Sequence, residues 1–248
     1  MNHEGKYIYG IIATHGAPAF NVTGIGGDRD TVTTICSSGL AAVVSTASMD
    51  HYVISKNNLA IHTKVIEIVM NSYTILPMRF CTIAETADGI KDFLKTNARV
   101  LKDMIRDIEG KVEVDIKVMW KEMKKIYEEI RMENKKIQKL WSDSHTLDRP
   151  QLVHAGELVA TALEEKKAEE KEACLKAIRR NAEKHQDMET AGDEMVLHTA
   201  FLIRKNKLLE FDTAIDKLQE TVKDKINIYY VGPMAPLSFV NVELHWDE

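Results

Sequence analysis

An α+β fold in two domains is what this sequence predicts, on three observations. Short β-branched and aromatic runs alternate with apolar residues at helical spacing along the chain. Residues 1–60 hold 7 charged side chains, whereas residues 121–190 hold 30 in 70 positions, 15 of each sign, so the two regions are built differently. From residue 111 onward the elements run strand, helices, strand, helix, strand, which is the order of a ferredoxin-like layer with an enlarged first crossover. We therefore expect an N-terminal α+β domain over 1–110 and a C-terminal ferredoxin-like domain over 111–248, with a charged helical insertion at about 120–190.

The first element, Lys6–Ala13, is rich in Ile and Tyr and short enough to be a buried strand, and Thr14–Pro18 breaks it. Thr31–Cys36 and Leu40–Thr46 flank Ser37-Ser38-Gly39, a turn composition that predicts a hairpin. Asn57-Asn58 offers an N-cap to a helix over Leu59–Tyr73, where Ile61, Val65, Ile68 and Val69 recur at helical spacing. Thr74–Phe80 reads as a strand that Pro77 confines to a sheet edge or a strand end. One amphipathic helix is expected over Ala87–Glu109, with Ile90, Phe93, Leu94, Leu101, Ile105 and Ile108 inward and Gly110 as its stop and the domain boundary.

Beyond Gly110 the period becomes two. Val112, Val114, Ile116 and Val118 face one way, and Glu113, Asp115 and Lys117 the other, as in a half-buried strand. Helical spacing returns over 120–141 through Met123, Ile126, Tyr127, Ile130, Ile137, Leu140 and Trp141. After a turn-rich break at Ser142–Arg149, Asp148 and Pro150 suit the start of a second helix running to about Asp187. Its stretch Glu164–Glu172 contains no large apolar residue, so it is expected to project into solvent. A strand at Met195–Ile203, a helix over Lys207–Lys225 and a strand at Ile226–Val231 close the fold.

Composition excludes several function classes. A net charge of −5 and a pI near 6.0 disfavour nucleic acid as a partner. No stretch approaches the roughly 20 apolar residues of a membrane span, and the first residues lack a signal-peptide pattern, so a cytoplasmic protein is expected. Cys36, Cys81 and Cys174 are odd in number and widely spaced, which encodes neither a disulfide framework nor a zinc module and fits a reducing compartment.

No chemistry-bearing motif is complete. Thr23-Gly-Ile-Gly-Gly-Asp28 lacks the G-K-[ST] ending of a phosphate loop and is followed by a strand rather than a helix, so an ordinary loop is expected. The nine histidines form no H-E-x-x-H, H-x-H or Cys/His pattern, and His62 and His198 read as hydrogen-bonded structural residues. Ser37, Ser38 and Cys36 lie in a turn without the frame of a nucleophile elbow. Cys81 follows Arg79, which can activate a thiol, but reads as a small buried residue. No cofactor, no metal and no enzymatic activity are expected.

Several segments in this order resemble the gas vesicle protein family GvpF/GvpL. They are Tyr7-Ile-Tyr-Gly10, Leu40–Ser45, Asn58-Leu59 with His62 and Val65, Leu76-Pro-Met-Arg-Phe80 with Thr82, Lys111–Lys117, Ala200–Ile203, and Gly232-Pro-Met-Ala-Pro-Leu-Ser-Phe-Val240. Two departures stand out. The family has Gly where this chain has Cys81, and a closing Gly-Pro-Trp-Pro-Pro-Tyr-Ser-Phe where this chain has Met234, Ala235 and Leu237. The resemblance implies a non-enzymatic accessory protein of gas vesicle formation, with two α+β domains, the second a modified ferredoxin fold. It further implies binding to the small hydrophobic shell protein GvpA, restraint of its aggregation during nucleation, contact with other accessory proteins, and retention as a minor vesicle component.

An aggregation-prone subunit needs an apolar groove or a free strand edge framed by solubilising charge. The candidate partner-binding residues are accordingly Leu76, Pro77, Met78, Arg79 and Phe80, with Gly232, Pro233, Met234, Pro236 and Phe239 of the closing segment. Two other functions compete with this one. A small-ligand sensor would hold an anion at Gly24–Gly27, and an oligomerising scaffold would self-associate through 120–190.

Overall fold

The computed structural model describes residues 4–27, 30–48, 52–142 and 148–242. The chain forms two compact units, Met1–Glu113 with Pro233–Glu248, and Val114–Gly232.

In the first unit β1 (Glu4–Ala13), β2 (Phe20–Thr23), β3 (Thr31–Ser37), β4 (Leu40–Ser48) and β5 (Ile75–Pro77) form a sheet in the order β2-β3-β4-β1-β5, and the short β6 (Ile83–Ala84) also pairs with β1. Pro77 sits at the end of the edge strand, opposite Gly10, where its missing N–H costs no ladder bond. The β3–β4 hairpin turns on Ser38 and Gly39, with φ of 57° and 76°, the paired positive values of a two-residue hairpin loop. Helix α1 (Lys56–Met70) lies on one face against Tyr7, Tyr9, Ile12, Val43 and Ile75. Helices α2 (Ala87–Thr96) and α3 (Ala98–Ile108) lie on the other against Ile8, Ile11, Val44, Leu76 and Met78. Two covered faces explain why β1 reads as an unbroken apolar run. A register shift between Ile8 and Gly10 lets Ile8 and Ile11 share a face despite their odd spacing.

In the second unit β7 (Lys111–Trp120), β8 (Lys184–Asp187), β9 (Met195–Arg204) and β10 (Ile226–Met234) are ordered β10-β7-β9-β8. Helices α4 (Met123–Glu133), α5 (Lys135–Ser142) and α6 (Arg149–Ile178) fill the first crossover, and α7 (Leu208–Val222) the last. The rings of Phe201 on β9 and Phe211 on α7 lie 5.3 Å apart, and Tyr230 on β10 donates to Asp212 on α7 at 2.9 Å. The start of α6 is as its sequence predicts. Gln151 N–H donates to Asp148 Oδ1 and Asp148 N–H to Gln151 Oε1, each at 2.9 Å, a reciprocal capping box with Pro150 in the first turn.

Six expectations are corrected. The N-cap of α1 is Ser55, whose Oγ accepts the Asn58 N–H at 3.2 Å, so Asn57 and Asn58 lie inside the helix. The helix expected over Ala87–Glu109 breaks at Asn97, whose Nδ2 bonds back to the Phe93 carbonyl, and the one over 120–141 breaks at Asn134, whose Oδ1 accepts two amides of α5. Apolar periodicity runs through both sites, but the Asn side chain competes for the helix's own backbone partners. The helix expected to reach Asp187 stops at Ile178. Lys184–Asp187 is instead the edge strand β8, with every residue exposed and no apolar alternation to reveal it.

Glu113 does not face solvent but is 2% exposed. Finally, Glu164–Glu172 does not simply project into solvent. Lys166 Nζ pairs with Glu129 at 3.0 Å and Glu133 at 2.9 Å, Lys171 with Asp187 at 2.6 Å, and Glu170 with Lys225 at 3.0 Å. The side chains of Lys166 and Lys167 keep only 12% of their exposure. Alkyl stems and paired charges pack this face where apolar residues are missing. The break expected at Ser142–Arg149 falls largely on residues 143–147, outside the described residues.

Candidate functional site

The segment Leu76–Phe80 leads from the interior to the surface. Leu76, Pro77 and Met78 are buried, Arg79 is exposed and Phe80 is half-buried. Strand β5 itself is therefore covered, backbone included, and only Arg79 and Phe80 of this segment reach the surface. Phe80 closes over an aromatic group, its ring 6.2 Å from that of Tyr7 and 5.8 Å from that of His62.

Tyr7 and His62 hold this corner in place. Tyr7 Oη accepts the Cys81 N–H at 2.9 Å and lies 3.0 Å from His62 Nδ1. An amide only donates, and burial drives the Tyr7 pKa far above its ordinary value, so the phenol keeps its proton and donates it to Nδ1. The imidazole is then the Nε2–H tautomer, and its remaining hydrogen bond is to the Met78 backbone. Burial lowers the His62 pKa from 6.5 to about 4, so the ring is neutral at physiological pH. Three separate stretches, β1, α1 and the loop after β5, are thereby joined by one polar chain. Cys81 enters it with φ of 66°, a left-handed conformation that costs a side-chain-bearing residue about 1–2 kcal/mol.

The glycine loop is held in the same manner. Its four amides are committed: Gly24 N–H to the Asp30 carbonyl at 2.7 Å, Ile25 N–H to Tyr9 Oη at 2.8 Å, Gly26 N–H to Asp30 Oδ2 at 3.1 Å, and Gly27 N–H to the Gly24 carbonyl at 3.3 Å. A carboxylate thus occupies the position an anion would take. A Cβ on Gly24 would come within 2.4 Å of that carboxylate and 2.5 Å of Ser45, so the glycine is there for closeness of approach. Asp28 of this loop lies outside the described residues.

The closing segment returns to the first unit. Gly232 and Pro233 are exposed, Met234 and Phe239 half-buried, and Pro236 buried. Ser238 donates its N–H to Glu113 Oε2 at 2.8 Å and its Oγ–H to Glu113 Oε1 at 2.7 Å, a two-pronged clasp on a buried carboxylate. Ala235 joins the core cluster of Ile75, and Val240 that of Leu76 and Met78. Both predicted segments therefore belong to one neighbourhood. Glu113 escaped sequence reasoning because strand alternation placed it outside. The signal that it faces inward is the Ser238 that meets it, which lies 125 positions away.

Among the described residues, no group of three or more His, Cys, Asp or Glu side chains is placed to hold a metal ion, and no helix is long and apolar enough to cross a membrane. Exposed apolar side chains in the first unit include Val53 and Ile54, 75% and 76% exposed, just ahead of α1, with Leu59 on α1 itself and Leu237 in the closing segment. In the second unit a groove of about 740 Å³ runs between α6 and α7 over Ala173, Cys174, Ala177 and Ala214.

The family model described as "Gas vesicle synthesis protein GvpL/GvpF" matches residues 5–241. The chain belongs to the GvpL/GvpF family. Its relatives include gas vesicle protein F of Microcystis aeruginosa, 24% identical over 96% of this chain and 98% of that protein. Gas vesicle protein F of Haloferax mediterranei is 23% identical over 99% and 97%. The fold is that of the crystal structure of GvpF from Anabaena sp. PCC7120, with a TM-score of 0.84 at 21% identity over 97% of this chain and all of that one. The Microcystis aeruginosa GvpF structure gives a TM-score of 0.81 at 23% identity, covering 96% and 99%. In this GvpL/GvpF chain the residues that carry the family resemblance are largely interior. Tyr7, Tyr9, Ser45 and His62 are all buried polar groups, and a Cβ on Gly10 would lie 2.5 Å from Ile75 and 2.7 Å from the Leu76 carbonyl.

Proposed function

We propose that this chain is a non-enzymatic accessory protein of gas vesicle assembly that binds the shell protein GvpA and limits its aggregation during nucleation. The observation that carries it is the match to the GvpL/GvpF family over residues 5–241, joined by relatives that bear the name gas vesicle protein F over nearly their whole length. In this proposal the protein works in the cytoplasm, meets other gas vesicle accessory proteins and stays with the vesicle as a minor component.

Physical support comes from the first unit. A hydrophobic subunit is held either by strand addition or by apolar side chains. The buried strand β5 leaves no open edge, so support comes from Arg79 and Phe80, which reach the surface beside it, and from the exposed apolar area of Val53, Ile54, Leu59 and Leu237. The closing residues Gly232, Pro233, Met234, Pro236 and Phe239 are the second set of partner contacts in this proposal, on a segment anchored by Ala235, Ser238 and Val240. We keep Gly110, with its φ of 69°, as the boundary between two domains, residues 1–110 and 111–248, the closing segment reaching back to the first. The second has a sheet order that supports a ferredoxin-like assignment, since its first and third strands, β7 and β9, are central. The α4–α6 insertion provides the solubilising charge.

The direct test mixes purified protein with GvpA released from denaturant and follows light scattering. At equimolar ratio the protein should slow aggregation, and Val53→Ser with Ile54→Ser should weaken the effect several-fold. If the wild-type protein neither binds GvpA nor slows its aggregation, the proposal fails.

A further inference from the structure

Independently of any shell-protein contact, the first unit contains a cleft of about 570 Å³ between the β3–β4 turn, the end of β1 and helix α3. Its volume lies within the range of about 300–1,000 Å³ that holds small ligands. Arg99, Lys102 and Arg106 line it from α3. At spacings of three and four residues they form one stripe, about 10 Å long at 1.5 Å rise per residue, beside the apolar stripe of Leu101, Ile105 and Ile108.

The opposite wall brings further donors. A Cβ at Gly39 would lie 3.1 Å from Lys102 Nζ and 3.4 Å from His15 Cε1, so ammonium and imidazole converge over the same glycine. Gly39 is held there by its φ of 76° and by the Thr14 N–H, which donates to its carbonyl at 3.2 Å. Charge in the cleft is not balanced. Asp103 and Glu109 also line it, but Asp103 is engaged by Arg106, and among the described residues Arg99 and Lys102 enter no ion pair. Two free cations one helical turn apart, with an imidazole facing them and Ile105 as an apolar floor, form a receptor for adjacent anionic groups.

We infer that this cleft binds a small phosphate-bearing molecule with at least two anionic groups, held by Arg99, Lys102 and His15. Phosphate oxygens suit it because guanidinium and ammonium donors approach from one side and an imidazole N–H from the other, while the cleft is too short for an extended polymer. The site differs from the glycine loop, whose amides are already taken by Asp30 and Tyr9.

Titration calorimetry of the full chain at constant ionic strength tests this, with pyrophosphate, ADP and adenosine as probes. The expected result is binding of pyrophosphate and ADP but not adenosine. Affinity should fall at least tenfold in Arg99→Gln/Lys102→Gln and stay unchanged in Lys91→Gln/Lys95→Gln, which removes the same charge from α2. Both substitution pairs fall on exposed positions, so each variant should fold, and unchanged circular dichroism and melting temperature verify it. Absence of binding by both phosphate probes overturns the inference, as does equal weakening in the two variants. Binding of a Glu-rich peptide where pyrophosphate fails would likewise overturn it, in favour of a protein partner.

Discussion

Tyr7 and His62 set the chemical character of the first unit's interior. The ordinary His pKa of 6.5 lies above the folded value of about 4, so between these pH values the unfolded chain binds a proton that the folded chain refuses. The stability due to neutral His62 is complete above about pH 6.5, is lost as pH falls, and is exhausted near pH 4, a difference of about 3 kcal/mol. Urea midpoints measured across this window should fall steeply in the wild type and much less in His62→Gln, which has no proton to take up. Cys81 gives an opposite test. With its φ of 66° in a position where the family resemblance places glycine, Cys81→Gly should stabilise the protein by about 1 kcal/mol, after the extra freedom of glycine in the unfolded chain is deducted. An unchanged or lower urea midpoint would show that the left-handed cysteine is not strained.

At the scale of elements, charge does in the α4–α6 insertion what apolar residues do elsewhere. Burial by itself would favour a neutral Glu129, but Lys166 and Lys225 outweigh it and hold the carboxyl below its ordinary range. Replacing Lys166 by Met keeps the stem and removes the ammonium. The expected loss is about 1 kcal/mol, modest because Glu129 and Glu133 stay partly hydrated. The same substitution at the exposed Lys176 should change the urea midpoint by less than a third of that. Equal effects at the two positions would mean that the insertion is held by its sparse apolar contacts, Leu163, Leu175 and Ile178, alone. The helix breaks at Asn97 and Asn134 belong to the same scale, since a single side chain re-bonding the backbone ends a helix whose apolar stripe continues.

For the whole molecule, the chain's last described stretch completes the unit its first residues begin. A chain ending at Gly232 loses both Ser238 hydrogen bonds to Glu113, together with the buried Ala235 and Val240. Two charge-assisted bonds and two apolar side chains should together cost about 3 kcal/mol or more. Amide exchange should then quicken in β1 and β4 while β9 keeps its protection. Uniform loss of protection in both sheets would mean that the two units unfold as one.

The sequence by itself determined the α+β class, the hairpin at Ser38-Gly39, the edge position of Pro77, the cap at Asp148 and the family, because each depends on local backbone preference or on residues in a fixed order. It also carried the interior polar set, since Tyr7, Tyr9, Ser45 and His62 all lie within the segments that resemble GvpF/GvpL. Only the tertiary structure decided what faces what. Strand β8 exists because β9 supplies its hydrogen-bond partners, Lys166 is covered because Glu129 and Glu133 meet it, and Glu113 turns inward because Ser238 returns to it. Leu76, Pro77 and Met78, which the sequence marks as prominent, are covered by the core they help build. Such pairings join residues far apart in the chain, and no periodicity along the chain encodes them.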